Sequence, residues 1–182
     1  RVYRERPDVG AVVHAHPPIA TSFTVAGVPM DKYVLPEAVL TLGAVPTCVY
    51  GTPSTEEIPD SLQPYLQTND AFLLKNHGAL TVGNTLTKAF FLMEEVEFSA
   101  KITFYASQLG GVEEIPCDEL MKLMELRKKF QIPGKHPGCK KCPNLGTENC
   151  KCRQNVVDAS AASPDGDLVS AITAKVLAEL KK

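Results

Sequence analysis

Residues 10–18 read GAVVHAHPP, a short apolar run that carries two of the chain's four histidines. Val12 and Val13 are β-branched, and Gly10 and Pro17 punctuate the ends, so the pattern predicts a buried strand over 10–16. Side chains two apart on a strand share a face. His14 and His16 therefore project together, a few ångströms apart. Two adjacent imidazoles lose hydration when neutral and repel each other when charged. A cation shared between them removes both penalties. The competing reading is a pair of core histidines bonded to backbone groups.

Composition sets the outer bounds. The chain has 182 residues, 44% hydrophobic and 22% charged, enough for one main domain plus extensions. A net charge of −2 supplies no basic field for nucleic acid. No stretch is long and apolar enough to span a membrane, and RVYRERPDVG (1–10) has no apolar signal core. A cytoplasmic protein is expected. In that compartment the six cysteines read as thiols or metal ligands rather than disulfides.

Around the strand, residues 1–6 resemble a last helical turn closed by Pro7. PIATSFTVAG (18–27) predicts a short helix capped by Gly27. Pro36 can open a helix within 33–43, and VPTCVYG (45–51) reads as a second strand. Residues 55–70 are amphipathic but interrupted by Pro59 and Pro64. AFLLKNHGALTVG (71–83) reads as two strands meeting at His77–Gly78. A long helix over about 86–109, capped by Asn84 or Thr85, carries two apolar stripes: Ala89/Met93/Val96/Ala100 and Phe91/Phe98/Ile102/Tyr105/Leu109. Two stripes predict two buried faces, one on the sheet and one on a neighbouring subunit. Residues 117–130 predict a last amphipathic helix.

His77 is the third histidine in an apolar strand setting. A catalytic zinc takes three protein ligands and keeps one open position. His14, His16 and His77 supply three, and Gly78 lets a backbone or substrate come close.

HAHP followed at this separation by NHGALTVG, with RPDVGAVVHAHPP and the helix opening NTLTKAF, resembles the class II aldolase family, in particular its fuculose-phosphate aldolase group. The likeness covers about residues 1–130. It implies an α/β/α sandwich around a mainly antiparallel sheet, assembled as a homotetramer with each active site at a subunit boundary. It also implies reversible aldol cleavage of a ketose 1-phosphate, giving dihydroxyacetone phosphate and an aldehyde such as lactaldehyde. Zinc on His14, His16 and His77 would polarise the carbonyl. Tyr33, in VPMDKYV, aligns with a tyrosine that reaches into a neighbour's site and protonates the departing aldehyde's oxygen; otherwise it is a half-buried rim residue. Glu37, in LPEAV, stands where epimerase and dehydratase relatives carry an acid/base residue; otherwise it charges a helix start. The family's catalytic glutamate and phosphate-binding residues are expected upstream of His14 and do not occur here, so the N-terminal portion of the domain is expected to be absent. Retention of all three histidines weighs against a non-catalytic interaction domain of the adducin type.

The composition changes after Pro133, so the catalytic domain is expected to span 1–133. Residues 134–152 contain C-x2-C-x7-C-x-C, formed by Cys139, Cys142, Cys150 and Cys152. This pattern predicts a second metal site holding zinc or an iron–sulfur cluster, with His136 a substitute ligand. Free thiols in a tail are the alternative. Residues 153–167 read as a flexible linker. The last segment, 168–182, predicts an amphipathic helix with Leu168, Ile172, Val176 and Leu180 on one face. This linker and helix resemble the encapsulation peptides that dock enzymes on bacterial microcompartment shell proteins. Folding back on the domain or oligomerisation would bury the same face.

Overall fold

In the computed structural model of the protein, which describes residues 1–138, four strands form one sheet between helices. The elements are α1 (Val2–Glu5), β1 (Ala11–Ala15), α2 (Pro18–Ala26), α3 (Pro36–Thr41), β2 (Thr47–Cys48), α4 (Glu57–Leu62), β3 (Ala71–Leu74), β4 (Gly78–Gly83), α5 (Leu86–Gln108) and α6 (Cys117–Lys129). The strand order is β1-β4-β3-β2. β4 runs antiparallel to both β1 and β3, and only β2 pairs in parallel, with β3. The mixed, mainly antiparallel α/β arrangement matches the expectation. The cysteine cluster, the linker and the terminal helix lie outside the described residues.

Strand alternation explains the layers. Ala71 and Leu73 join Ala79 on one face, against Ala20 and Phe23 of α2 and Leu92, Met93, Val96 and Ala100 of α5. Phe72, Leu74 and Val82 turn to the other face, against Val2 of α1 and Leu62 and Leu66 in and after α4. A strand buried on both faces needs a continuous apolar run, which AFLL provides. Truncating one such side chain, Leu73 to Ala, costs about 2–5 kcal/mol. A third cluster of Tyr33, Val39, Ala44, Leu120 and Met124 packs α6 on α3.

The long helix follows its expected course. Thr85, not Asn84, is its cap: Thr85 Oγ1 accepts from the Lys88 amide at 3.2 Å. The Ala89/Met93/Val96/Ala100 stripe is buried, while Phe91, Phe98, Tyr105 and Leu109 are exposed within the chain. Thr81 Oγ1 donates to the Ala89 carbonyl at 2.7 Å and ties β4 to this helix.

Two expectations need correction. The strand at 45–51 contracts to Thr47–Cys48. The helical part of 55–70 is only Glu57–Leu62. Pro59 is tolerated there because the first turn of a helix needs no intrahelical N–H, whereas Pro64 cannot continue the ladder and turns follow. Residues 134–138, just past the expected boundary at 133, are bonded to the elements before them.

Arg127 donates to the carbonyls of Leu40 and Gly134, and the Lys135 amide donates to Asp70 Oδ2 at 2.8 Å. Asp70 Oδ1 accepts from the buried Arg6 at 2.7 Å, and Arg6 also donates to the Leu66 and Asn69 carbonyls. The His136 side chain is 2% exposed. Its Nδ1 accepts from the Gly138 amide at 3.0 Å, so Nε2 carries the proton and donates to the Val39 carbonyl at 2.7 Å. Gly43, at φ +62°, leaves room for the ring: a Cβ there would stand 2.7 Å from Nε2. Both nitrogens of His136 are occupied, so it is a core residue and not a substitute metal ligand.

Candidate metal centre

Two adjacent elements bring the three histidines together. β1 pairs with β4 from Ala11↔Gly83 to Ala15↔Ala79, so His14 and the following His16 emerge at the strand's last turn beside the β3–β4 hairpin. The hairpin closes through Lys75, Asn76 and His77. Asn76 takes φ +55°, the left-handed region that Asn tolerates, and the His77 amide donates to the Leu74 carbonyl at 3.0 Å. This turn carries His77 over the edge of β1. Ring centroids lie 4.9 Å (His14–His16), 4.8 Å (His14–His77) and 5.0 Å (His16–His77) apart. One ligand nitrogen from each lies within 4.8 Å of the others.

Gly78 is the floor of this cluster. A Cβ at that position would lie 2.5 Å from the Ala15 carbonyl oxygen and 2.7 Å from His16 Cδ2. Only glycine lets β4 approach β1 while the His16 ring keeps its place.

The donor chemistry fits a metal ion. His14 Nδ1 faces the Ala79 carbonyl oxygen at 2.8 Å and must therefore donate to it, which leaves Nε2 as a lone-pair donor. His77 Nδ1 is buried with no hydrogen-bond partner, an arrangement that costs about 1–3 kcal/mol unless something satisfies it. Burial, and then the proximity of His14 and His16, lowers the pKa of His77 and favours its neutral, ligating form. Three imidazoles with solvent on one side match the three-ligand, one-open-position pattern of catalytic zinc. Among the described residues no Asp, Glu or Cys joins the group.

The structure does not bring the other candidates to the triad. Tyr33 is 2% exposed and packs with Val39, Ala44, Leu120 and Met124; its hydroxyl donates to the Gly138 carbonyl at 3.1 Å. Within this chain it is a buried residue and not a half-buried one on the rim. Glu37 is exposed in the first turn of α3, and its charge adds to the burial that raises the pKa of Glu95 on α5. Cys139, Cys142, Cys150, Cys152 and the face of Leu168, Ile172, Val176 and Leu180 lie outside the described residues. The Ala79 carbonyl that orients His14 is invisible to residue-type reasoning, because a backbone acceptor leaves no mark in the sequence. No helix among the described residues is long and apolar enough to cross a membrane.

Comparison with known proteins agrees with this geometry. The chain is 32% identical over 129 residues to the "5-methylthioribulose-1-phosphate/5-deoxyribulose-1-phosphate aldolase" of Rhodospirillum rubrum, covering 71% of this chain and 58% of that protein. It is 35% identical over 107 residues to the "3-oxo-tetronate 4-phosphate decarboxylase" of Escherichia coli K12, covering 57% and 50%. A solved "L-fuculose 1-phosphate aldolase" superposes with a TM-score of 0.63 at 29% identity, covering 71% of this chain and 59% of that one. The chain thus spans between 50% and 59% of these relatives' lengths. Residues 1–104, which include all three histidines and most of α5, match the family described as "Class II Aldolase and Adducin N-terminal domain". The chain belongs to the class II aldolase and adducin N-terminal domain family.

Proposed function

We propose that the protein acts as a zinc-dependent aldolase that cleaves a ketose 1-phosphate, of the fuculose 1-phosphate type, to dihydroxyacetone phosphate and an aldehyde such as lactaldehyde. The observation that carries this reading is the convergence of His14, His16 and His77 with the buried, unpartnered Nδ1 of His77. Relatives named as aldolases of 1-phosphorylated ketoses support the substrate class. Zinc on the triad would supply a Lewis acid that polarises a substrate carbonyl. The chain's own part is to hold that ion and leave it approachable. The Ala79 carbonyl fixes the tautomer of His14, the hairpin turn presents His77, and glycine at 78 keeps bulk away from His16. Tyr33 would have to leave its own core to act as an acid, so the reading assigns it no proton.

A second reading is epimerisation or dehydration of a sugar phosphate on the same triad with Glu37 as acid/base. Its support is the exposure of Glu37 beside Glu95. Three further elements rest on the sequence alone: a homotetramer, a second zinc or iron–sulfur site at the four tail cysteines, and residence in a microcompartment lumen through residues 168–182.

The test is an assay of the full-length protein on L-fuculose 1-phosphate, with triose-phosphate release coupled to NADH oxidation. Cleavage that EDTA abolishes and zinc restores supports the aldolase. Glu37→Gln should leave that rate within a few-fold. A 4-epimer or dehydrated product in place of triose phosphate, lost in Glu37→Gln, favours the second reading and contradicts the first.

A further inference from the structure

The chain leaving β1 is held from a distant helix. β1 ends at Ala15, His16 follows, and Pro17 and Pro18 lead directly into α2 (Pro18–Ala26). A helix start normally satisfies its free amides with the side chain of its own cap residue. Here the cap position is Pro17, which has no such group, and no side-chain cap bond is present. The Ile19 and Ala20 amides instead donate to the two carboxylate oxygens of Glu97, at 3.0 and 2.8 Å. Glu97 lies on α5, next to Val96, which packs in the core shared by α2 and α5. A bidentate carboxylate at this point also meets the positive end of the helix.

His16 is the ligand that most needs this support. His14 is steadied by its bond to the Ala79 carbonyl, and the His77 backbone is fixed in the hairpin turn. No hydrogen bond steadies the His16 ring among the described residues, and its side chain is exposed. Its direction therefore follows from the backbone on either side: strand pairing up to Ala15, and the start of α2 at Pro18.

We propose that Glu97 is a positioning residue for the metal triad. By pinning the first turn of α2 it holds Pro17 and Pro18, and through them keeps His16 facing His14 and His77. The inference rests on the triad being a metal site.

The experiment measures zinc affinity by competition with a chromophoric chelator. It uses the full chain with Cys139, Cys142, Cys150 and Cys152 changed to Ser throughout, at a temperature where every variant is folded. Glu97→Ala should bind zinc about 10–100-fold more weakly, the loss usual when support behind a ligand is removed. Glu97→Gln keeps one acceptor oxygen and should fall between. Val96→Ala, in the same helix and core, should lose thermal stability and keep zinc affinity. Zinc binding by Glu97→Ala as tight as by the parent overturns the proposal. So does an equal loss of affinity in Val96→Ala at equal loss of stability. Should Glu97→Ala not fold, Glu97→Gln decides by the same comparison. A parent that binds no zinc, or that keeps it after His14→Ala, overturns the metal reading itself and is seen before any Glu97 variant is measured.

Discussion

Acid should unfasten the segment that closes the domain, and His136 sets how much stability is lost. Burial first, and then the Arg127 charge, push the His136 pKa down to about 4, while an unfolded histidine titrates near 6.5. A depressed histidine means that the unfolded chain binds the proton more readily than the folded one. Stability from this residue is therefore fully present above about pH 6.5 and is lost as pH falls towards about 4. Between pH 7 and pH 4.5 the loss is roughly 2–3 kcal/mol, at about 1.4 kcal/mol per unit. The assay is urea unfolding at both pH values with EDTA present, so that metal release contributes nothing. His136→Gln keeps an amide donor for the Val39 carbonyl but cannot titrate, and comparison with it subtracts the other ionising groups. That subtraction is needed because burial raises the pKa of Asp70 and Glu95, which act in the opposite direction. The wild type should lose about 2–3 kcal/mol more than the variant over this range. Equal pH slopes, or a His136 ring titrating near 6.5 by NMR, would refute the buried neutral imidazole.

Gly78→Ala should weaken zinc binding and cost about 1–3 kcal/mol by thermal unfolding, because the new methyl meets the Ala15 carbonyl and the His16 ring; unchanged affinity contradicts the floor role. Tyr33→Phe should cost about 1 kcal/mol through its lost bond to Gly138 and leave zinc content unchanged. A large rate loss at unchanged stability would return Tyr33 to the chemistry. Asp70→Asn removes one of the two carboxylates that pair with the buried Arg6, leaving only the partly exposed Asp8, and should cost about 1–3 kcal/mol in urea unfolding.

The triad was legible because its signals are local. Period-two spacing put His14 and His16 on one face, and the glycine after His77 marked a tight turn between two apolar runs. β3 was legible for a similar reason, since a short apolar run ahead of the His77–Gly78 turn reads as one arm of a strand pair, and its burial pattern agrees. Long-range bonds left no such trace. Nothing about Glu97 in a long helix announces that its carboxylate caps α2, and His136 stands in a Pro/Gly/Lys-rich stretch that resembles a tail. The burial of Tyr33 was hidden in the same way: a tyrosine between a lysine and a valine reads as partly exposed until α6 is seen to cover it. The contraction of 55–70 was visible in part, because Pro64 has no amide to continue a helix.

The central claim is that His14, His16 and His77 hold one zinc ion. Its most direct test is the metal content of the full-length protein with Cys139, Cys142, Cys150 and Cys152 changed to Ser, measured before and after adding His14→Ala and His16→Ala together. The account predicts one zinc per chain in the first protein and none in the second. Full zinc retained after both histidines are removed would contradict it.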